Sequence, residues 1–100
     1  RFRNVALCQI TMETYEKNGQ YGYQENGVVL AEIDYEFRSD DTIAITHTFV
    51  DPSLRGQGIA PLLVEHVVAL AELNHWSIIP VCPYAVAYFE KHPSSLVKID

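Results

Sequence analysis

The residues with the clearest chemical potential lie in one run, Val50-Asp51-Pro52-Ser53-Leu54-Arg55-Gly56-Gln57-Gly58-Ile59-Ala60. Two glycines stand where a β-rich stretch gives way to helical spacing. Glycine at such a junction lets the backbone approach a ligand and turn several N–H groups toward one point. Those amides, together with the positive end of the helix that follows, make a site for phosphate groups. The pattern narrows the anion. A Walker loop needs a Gly-Lys-Ser/Thr that is absent here, and the dinucleotide fingerprint fails because Pro61 stands where its third glycine or alanine belongs. Neither ATP nor NAD is supported. The plainer alternative is a turn whose glycines only pack the helix against the strand.

Such a loop needs a strand before it and a helix after it, and the flanking patterns supply both. Residues 28–37 alternate, with Val29, Ala31, Ile33, Tyr35 and Phe37 apolar and Glu32, Asp34 and Glu36 between them, a strand with one wet face. Asn26-Gly27 before it is a hairpin dipeptide that joins it to a short aromatic strand at 21–24. Ser39-Asp40-Asp41 makes the next turn, and 43–50 is a third β-rich run ending at the loop. From Ala60 the period changes: Leu62, Leu63, Val67, Leu70, Ala71 and Leu73 fall at helical spacings, with Pro61 in the first turn and Asn74 as the stop. A short buried strand at 76–81 follows, then a helix from Pro83 through His92, ended by Pro93. Residues 94–100 form a last edge strand or a tail, and residues 1–19 a further strand or a mobile arm. The expected order is β-β-β-α-β-α, a mixed sheet with helices packed on it.

One hundred residues, 48% of them apolar, suit a single folded domain spanning the whole chain. Seven Lys and Arg against thirteen Asp and Glu give a net charge of −6, which argues against a nucleic-acid binder, since such binding rests on a basic face. It is compatible with a small anion held by backbone amides and favours cationic partners. No apolar run approaches the ~18 residues that would span a bilayer, so no membrane role is expected. With only Cys8 and Cys82, either one bridge or two reduced thiols is open; the latter, with no secretory signal visible, points to a reducing, cytoplasmic compartment. The chain starts at Arg1, which leaves a removed presequence open. No metal is expected: His47, Cys82 and His92 lack metal-ligand spacing and the carboxylates are scattered.

Several segments together resemble a known family. Arg55-Gly56-Gln57-Gly58-Ile59-Ala60 is similar to the acetyl-CoA loop, Gln/Arg-x-x-Gly-x-Gly/Ala, of the GNAT N-acetyltransferase superfamily. Thr46-His47-Thr48-Phe49-Val50, Val81-Cys82-Pro83-Tyr84 and Tyr88-Phe89-Glu90-Lys91-His92-Pro93 resemble its short branch that lacks the usual first helices. Gly27 and the strand at 31–35 fit as well, and the resemblance covers residues 20–93. It implies a minimal GNAT-like α/β fold, mostly antiparallel and splayed at the cofactor site. It implies acetyl-CoA as donor and an amine as acceptor. The pyrophosphate would lie on amides of Arg55, Gly56, Gln57, Gly58, Ile59 and Ala60. The pantetheine arm would run past Phe49 and Val50, with Tyr88 beside it, and aim the thioester at Cys82.

Transfer to an amine requires a neutral attacking nitrogen and a proton for the departing thiolate. Cys82 is the first candidate, as a nucleophile or as an acid near the leaving sulfur; the alternative is a buried, inert thiol. His47 has the right chemistry for a general base, or is a structural histidine bonding a neighbour. Its flanking Thr46 and Thr48 point to the other face of the sheet. Larger relatives carry an acidic tyrosine on the last helix, but the matching position here is Phe89, which leaves Tyr84 either as the substitute acid or, like Tyr88, as a core-packing residue. Glu32, Asp34 and Glu36 form a solvated face or attract a cationic acceptor such as a lysine side chain or polyamine. His66 and His75 read as surface residues, and His92 as a helix C-terminal cation. The expected activity is acyl transfer from acetyl-CoA to an amine. The rivals are a CoA-binding or protein-interaction module without catalysis, and a cysteine hydrolase using Cys82 and His47.

Overall fold

The computed structural model describes residues 13–98. The chain runs β1 (Glu13–Lys17), β2 (Gln20–Glu25), β3 (Val28–Ser39), β4 (Thr42–Val50), α1 (Ile59–Asn74), β5 (Ser77–Pro80) and α2 (Pro83–Lys91), with a 3-10 turn at Pro52–Leu54 before α1. The strands form one sheet in chain order. The first three pairings are antiparallel and the last, β4 with β5, is parallel. A parallel pair needs a long crossover, which α1 provides. The mixed, mostly antiparallel sheet with two helices is as expected.

The observed order is β-β-β-β-α-β-α, one strand more than the reading β-β-β-α-β-α. The added strand is β1, so residues 13–17 take the strand alternative. Tyr15 explains why so polar a segment pairs: its hydroxyl donates to Glu32 Oε1 at 2.6 Å, two strands away. Its ring passes over Gly22, where a Cβ would crowd it. Residues 10–12, read as part of that strand, and Cys8, with its bridge alternative, lie outside the described residues; Cys82 carries a free thiol.

Both helices cover one face. Leu63, Val64, Val67 and Ala71 of α1 and Ala85 and Phe89 of α2 join Ala31, Ile33, Tyr35, Ile43, Ile45 and Ile78 of the sheet in one core. Burying each large aliphatic side chain contributes about 1.5–3 kcal/mol. His66, read as surface, instead fastens α1 to the first hairpin. Its ring stacks on Tyr21 with centroids 3.6 Å apart, and Nε2 lies 3.2 Å from Glu16 Oε2.

The fourth expected run is shorter than 76–81. Trp76 spends its amide on Ala71 O at the end of α1 (2.8 Å) and packs its ring edge-on against Phe37, so pairing starts only at Ser77. At the other end the last bond to β4 comes from Val81 and Cys82, whose amides both reach Ile45 O. Residues 94–98 dock beside β5 through one parallel bridge, Ile78 with Val97, too short to be a strand. Among the described residues no helix is long and apolar enough to cross a membrane.

Candidate functional site

The loop after β4 is held in shape by its own side chains. Asp51 caps the 3-10 turn, accepting from Ser53 N at 3.0 Å and Ser53 Oγ at 2.6 Å. These bonds hold the Asp51 carboxyl below its ordinary range. Arg55 Nε donates to Val50 O (3.1 Å) and Gln57 Nε2 to Ser53 O (3.3 Å), so both long side chains fold back on the loop. Gly56 and Gly58 have φ of 82° and 78°, a region L side chains rarely adopt, and a Cβ at either would point into open space. Gly58 is the N-cap of α1 and provides no side-chain bond, and the first turn of α1 carries no acidic residue. The amides of residues 56–60 donate to no acceptor among the described residues. The result is a row of free N–H donors at the positive end of a 16-residue helix. A cavity of about 350 Å³ sits on this row, lined by Val50, Leu54, Arg55, Gly56, Gly58, Ile59, Ala60, Pro61 and Tyr84.

The sheet opens beside this loop. β4 pairs with β5 only from Thr42 to Ile45, opposite Ser77 to Pro80. The pairing ends at that point because β4 itself bulges. His47 lies opposite Asp34 and Ile45 opposite Tyr35, which leaves Thr46 as the extra residue, its hydroxyl donating to Asp34 O at 3.4 Å. The chain after β5 then turns away: Val81 N and Cys82 N both donate to Ile45 O, at 3.0 and 3.1 Å, and Pro83 starts α2. Residues 46–50 therefore continue with one edge unpaired among the described residues. The unpaired edge of residues 46–50 leads to the row of free amides.

The profile of the GCN5-related N-acetyl-transferases matches residues 20–98. The chain belongs to the GCN5-related N-acetyltransferase (GNAT) family. The NMR solution structure of a GCN5-like protein from Staphylococcus aureus superposes with a TM-score of 0.75, at 30% identity, over 90% of this chain and 91% of that one. Ribosomal-protein-S18-alanine N-acetyltransferase from Escherichia coli shares the fold at a TM-score of 0.61 and 20% identity, over 74% of this chain and 50% of its own. N-acetylglutamate synthase from Neisseria gonorrhoeae, solved with coenzyme A and N-acetyl-glutamate, gives 0.60 and 16%, over 74% of this chain and 18% of its own. This chain thus spans half or less of those two enzymes. A comparison with curated proteins finds no match.

In this GNAT chain the residues singled out from sequence fall into three groups. Val50, Arg55, Gly56, Gly58, Ile59, Ala60 and Tyr84 share the loop cavity, and Leu54 and Pro61 join them. Gln57 lies in the loop but outside the cavity lining, since its amide ties the turn. Tyr88 lines the next cavity along α2, and Phe49, 37% exposed, points from the opposite face of the sheet.

Cys82 and His47 are not brought together. Cys82 is the N-cap of α2, 7% exposed, its Sγ accepting from Ala85 N at 3.4 Å and lying 3.3 Å from Thr48 Oγ1. Thr48 faces the core beside Ile33, whereas His47, one residue earlier and exposed, projects from the other face. A Cys82–His47 dyad is therefore not formed. Thr48, missed as a partner for Cys82, was accessible from strand alternation but not from any motif. Asp34 was likewise missed as the residue directly opposite His47. Burial, and then a hydrogen bond and charge from Glu32, push the Asp34 carboxyl up to about 6, against the opposing pull of His47. Tyr84 is half-buried, and burial, followed by the charges of Tyr88, Glu65 and Cys82, raises its hydroxyl above the ordinary value, so it stays protonated at neutral pH.

Proposed function

We propose that this protein transfers an acetyl group from acetyl-CoA to the nitrogen of an amine. The observation that carries the reading is that β4 outruns β5 and ends in free loop amides, so one unpaired strand edge leads straight to an anion site. The amides of residues 56–60 would hold the pyrophosphate, with Arg55 adding charge nearby. The edge at 46–50 would offer backbone N–H and C=O groups to the two amides of the pantetheine arm, placing the thioester near Thr48 and Cys82. The residues present fit this group, since nothing else among the described residues engages those amides and the glycines leave their surroundings open.

The faces of the sheet then divide the work. The donor lies on the helix side, and the acceptor approaches from the side of His47. His47 takes a proton from the incoming ammonium, so that the neutral nitrogen forms the N–C bond as the C–S bond breaks. Tyr84, kept protonated by burial, gives a proton to the departing thiolate, and the second proton that the nitrogen sheds on becoming an amide passes through solvent to restore Tyr84. Half-buried Glu32 and Asp34 beside His47 favour a cationic amine. Cys82 lines the site, and transfer is direct, because no imidazole reaches its sulfur to generate a thiolate. A second reading is favoured by one feature: Phe89, where larger relatives carry a tyrosine, is 7% exposed in the core, which suits a CoA-binding module without turnover.

Calorimetric titration with acetyl-CoA, with ATP as the control anion, followed by turnover on a panel of amines, tests both. Saturable one-to-one binding of acetyl-CoA with amine-dependent release of CoA is expected. Binding without transfer to any amine would leave the module, and no binding to folded protein would remove both readings.

A further inference from the structure

A larger cavity, of about 660 Å³, is walled by Tyr35, Phe37 and Trp76, with Glu16 and the Asn18-Gly19 turn beside them. Strand alternation puts Tyr35 and Phe37 on the helix side of β3, after Ala31 and Ile33. Trp76, two residues past the end of α1, packs against both. Its ring centroid is 6.5 Å from that of Tyr35 and 4.8 Å, edge-on, from that of Phe37. Phe37 stays 53% exposed, so the aromatic wall is open to solvent. The turn is seated firmly: Tyr35 N donates to Gly19 O at 2.8 Å, and Gly19, at φ 77°, has no room for a Cβ against Tyr35 O. The charge at this cavity has one sign. Glu16 lies on the helix side, where Oε2 meets His66 and Oε1 has no partner among the described residues. Lys17 lines the cavity too, but its ammonium turns to the opposite face of the sheet, 5.7 Å from the Tyr15 ring. Glu36 is engaged by Arg38 at 3.1 Å. The carbonyl end of α1, its negative pole, stands two residues before Trp76, and no basic residue occupies its last turn.

We propose that this cavity binds a methylated ammonium group, the chemistry shared by small quaternary amines and by a trimethylated lysine side chain. Such a cation spreads its charge over methyl groups and is weakly hydrated, so aromatic rings compensate for the water it loses. Glu16 and the carbonyl end of α1 supply the opposite charge, and both exclude anions. A bare ammonium is a compact, strongly hydrated charge that calls for several oxygen acceptors, and three of the walls here are rings. A neutral apolar ligand would gain nothing from Glu16. The site is separate from the donor site and stands whether or not the loop holds acetyl-CoA. Phe37 lies opposite Ile43, whereas the loop follows Val50, opposite Ala31, so the cavity is about 20 Å along β3 from the loop. The two ends of α1 thus serve opposite charges, its free amides a phosphate and its carbonyl end a cation.

Trp76 is the only tryptophan of the chain, so its fluorescence reports on this cavity. Choline and Nα-acetyl-Nε-trimethyllysine amide are titrated into wild type, Glu16→Gln and Phe37→Leu, with 3,3-dimethylbutanol as the neutral isostere of choline. A saturable change is expected with the cations, and binding about tenfold weaker with the isostere. The tighter of the two cations identifies the source as a small amine or a lysine side chain. Glu16→Gln keeps an oxygen for His66 and removes the charge, and Phe37→Leu keeps apolar bulk and removes the ring. Each should weaken the cations about threefold and leave the dissociation constant of acetyl-CoA unchanged. The proposal is overturned if neither cation gives a saturable response, if the isostere binds as tightly as choline, or if either variant keeps wild-type affinity. Mutual displacement of cation and acetyl-CoA also overturns it, since the cation would then sit at the donor site.

Discussion

The two halves of β4 are built to opposite specifications within nine residues. From Thr42 to Ile45 the strand is paired on both edges, and its residues are 0–4% exposed. From 46 to 50 it keeps only β3, alternates between half-buried and exposed, and bears an unpaired edge. The composition of the two halves matches this division. Ile43, Ala44 and Ile45 offer nothing but packing, whereas Thr46, His47 and Thr48 carry hydroxyl and imidazole groups. The changeover is set by backbone devices, the bulge at Thr46 and the turn that brings both Val81 N and Cys82 N onto Ile45 O, rather than by any catalytic side chain. A site of this kind is made by stopping a ladder early, and the core next to it bears the cost of the groups left unpaired.

Breaking the closed half should give the largest effect. Ile45→Ala empties a fully buried position and should destabilise the fold by about 2–5 kcal/mol, read as a lowered denaturant midpoint. Phe49→Ala, four residues on in the open half, should cost less than about 1 kcal/mol. Equal losses would mean that the two halves are energetically one unit. The open half should respond in function instead. Tyr84→Phe keeps the ring in its place beside the loop cavity and removes the acid. It should lower kcat about a hundredfold with the dissociation constant of acetyl-CoA little changed. An unchanged kcat would assign the thiolate's proton to solvent or to another group.

Gly58→Ala probes where the two halves hand over to the helix. Alanine at φ 78° is strained by about 1–2 kcal/mol, although no neighbour would clash with its Cβ. That Cβ also enters the space above the free amides, so acetyl-CoA affinity should fall by about tenfold, while the thermal midpoint drops by only a few degrees. Preserved affinity would show that ligand does not approach the loop at this point.

The sequence carried the closed half and the loop plainly. Alternation gave β3, the change of period at Ala60 gave α1, and the glycines with the absent Walker lysine narrowed the ligand. The relations across the sheet were not legible, because they depend on register. A bulge at Thr46 leaves no signature in a run of β-branched residues, yet it determines that His47 faces Asp34 and that Thr48 reaches Cys82. β1 was hard to read for a related reason. Its burial is slight and its stabilising contact, Tyr15 with Glu32, spans two strands.

Asp34 offers the finest distinction between the halves. Its Oδ1 is buried without a hydrogen-bond partner among the described residues, and its carboxyl titrates near 6 rather than its ordinary 3.8, chiefly because of burial, with Glu32 adding to the shift. The folded chain therefore binds more protons at this group than the unfolded chain between about pH 4 and 6. Its contribution to stability is fully present below that window and is lost as pH rises through it. Asp34→Asn retains the shape without the charge, so its urea midpoint should decline less than that of the wild type from pH 4 to 7.5 and stand above it at neutral pH. Parallel pH profiles for the two proteins would show that Asp34 is solvated well enough to titrate as an ordinary carboxylate. A flatter profile, with slower turnover at neutral pH, would mean that the open half keeps a destabilising charge opposite His47 because the amine reaction uses it.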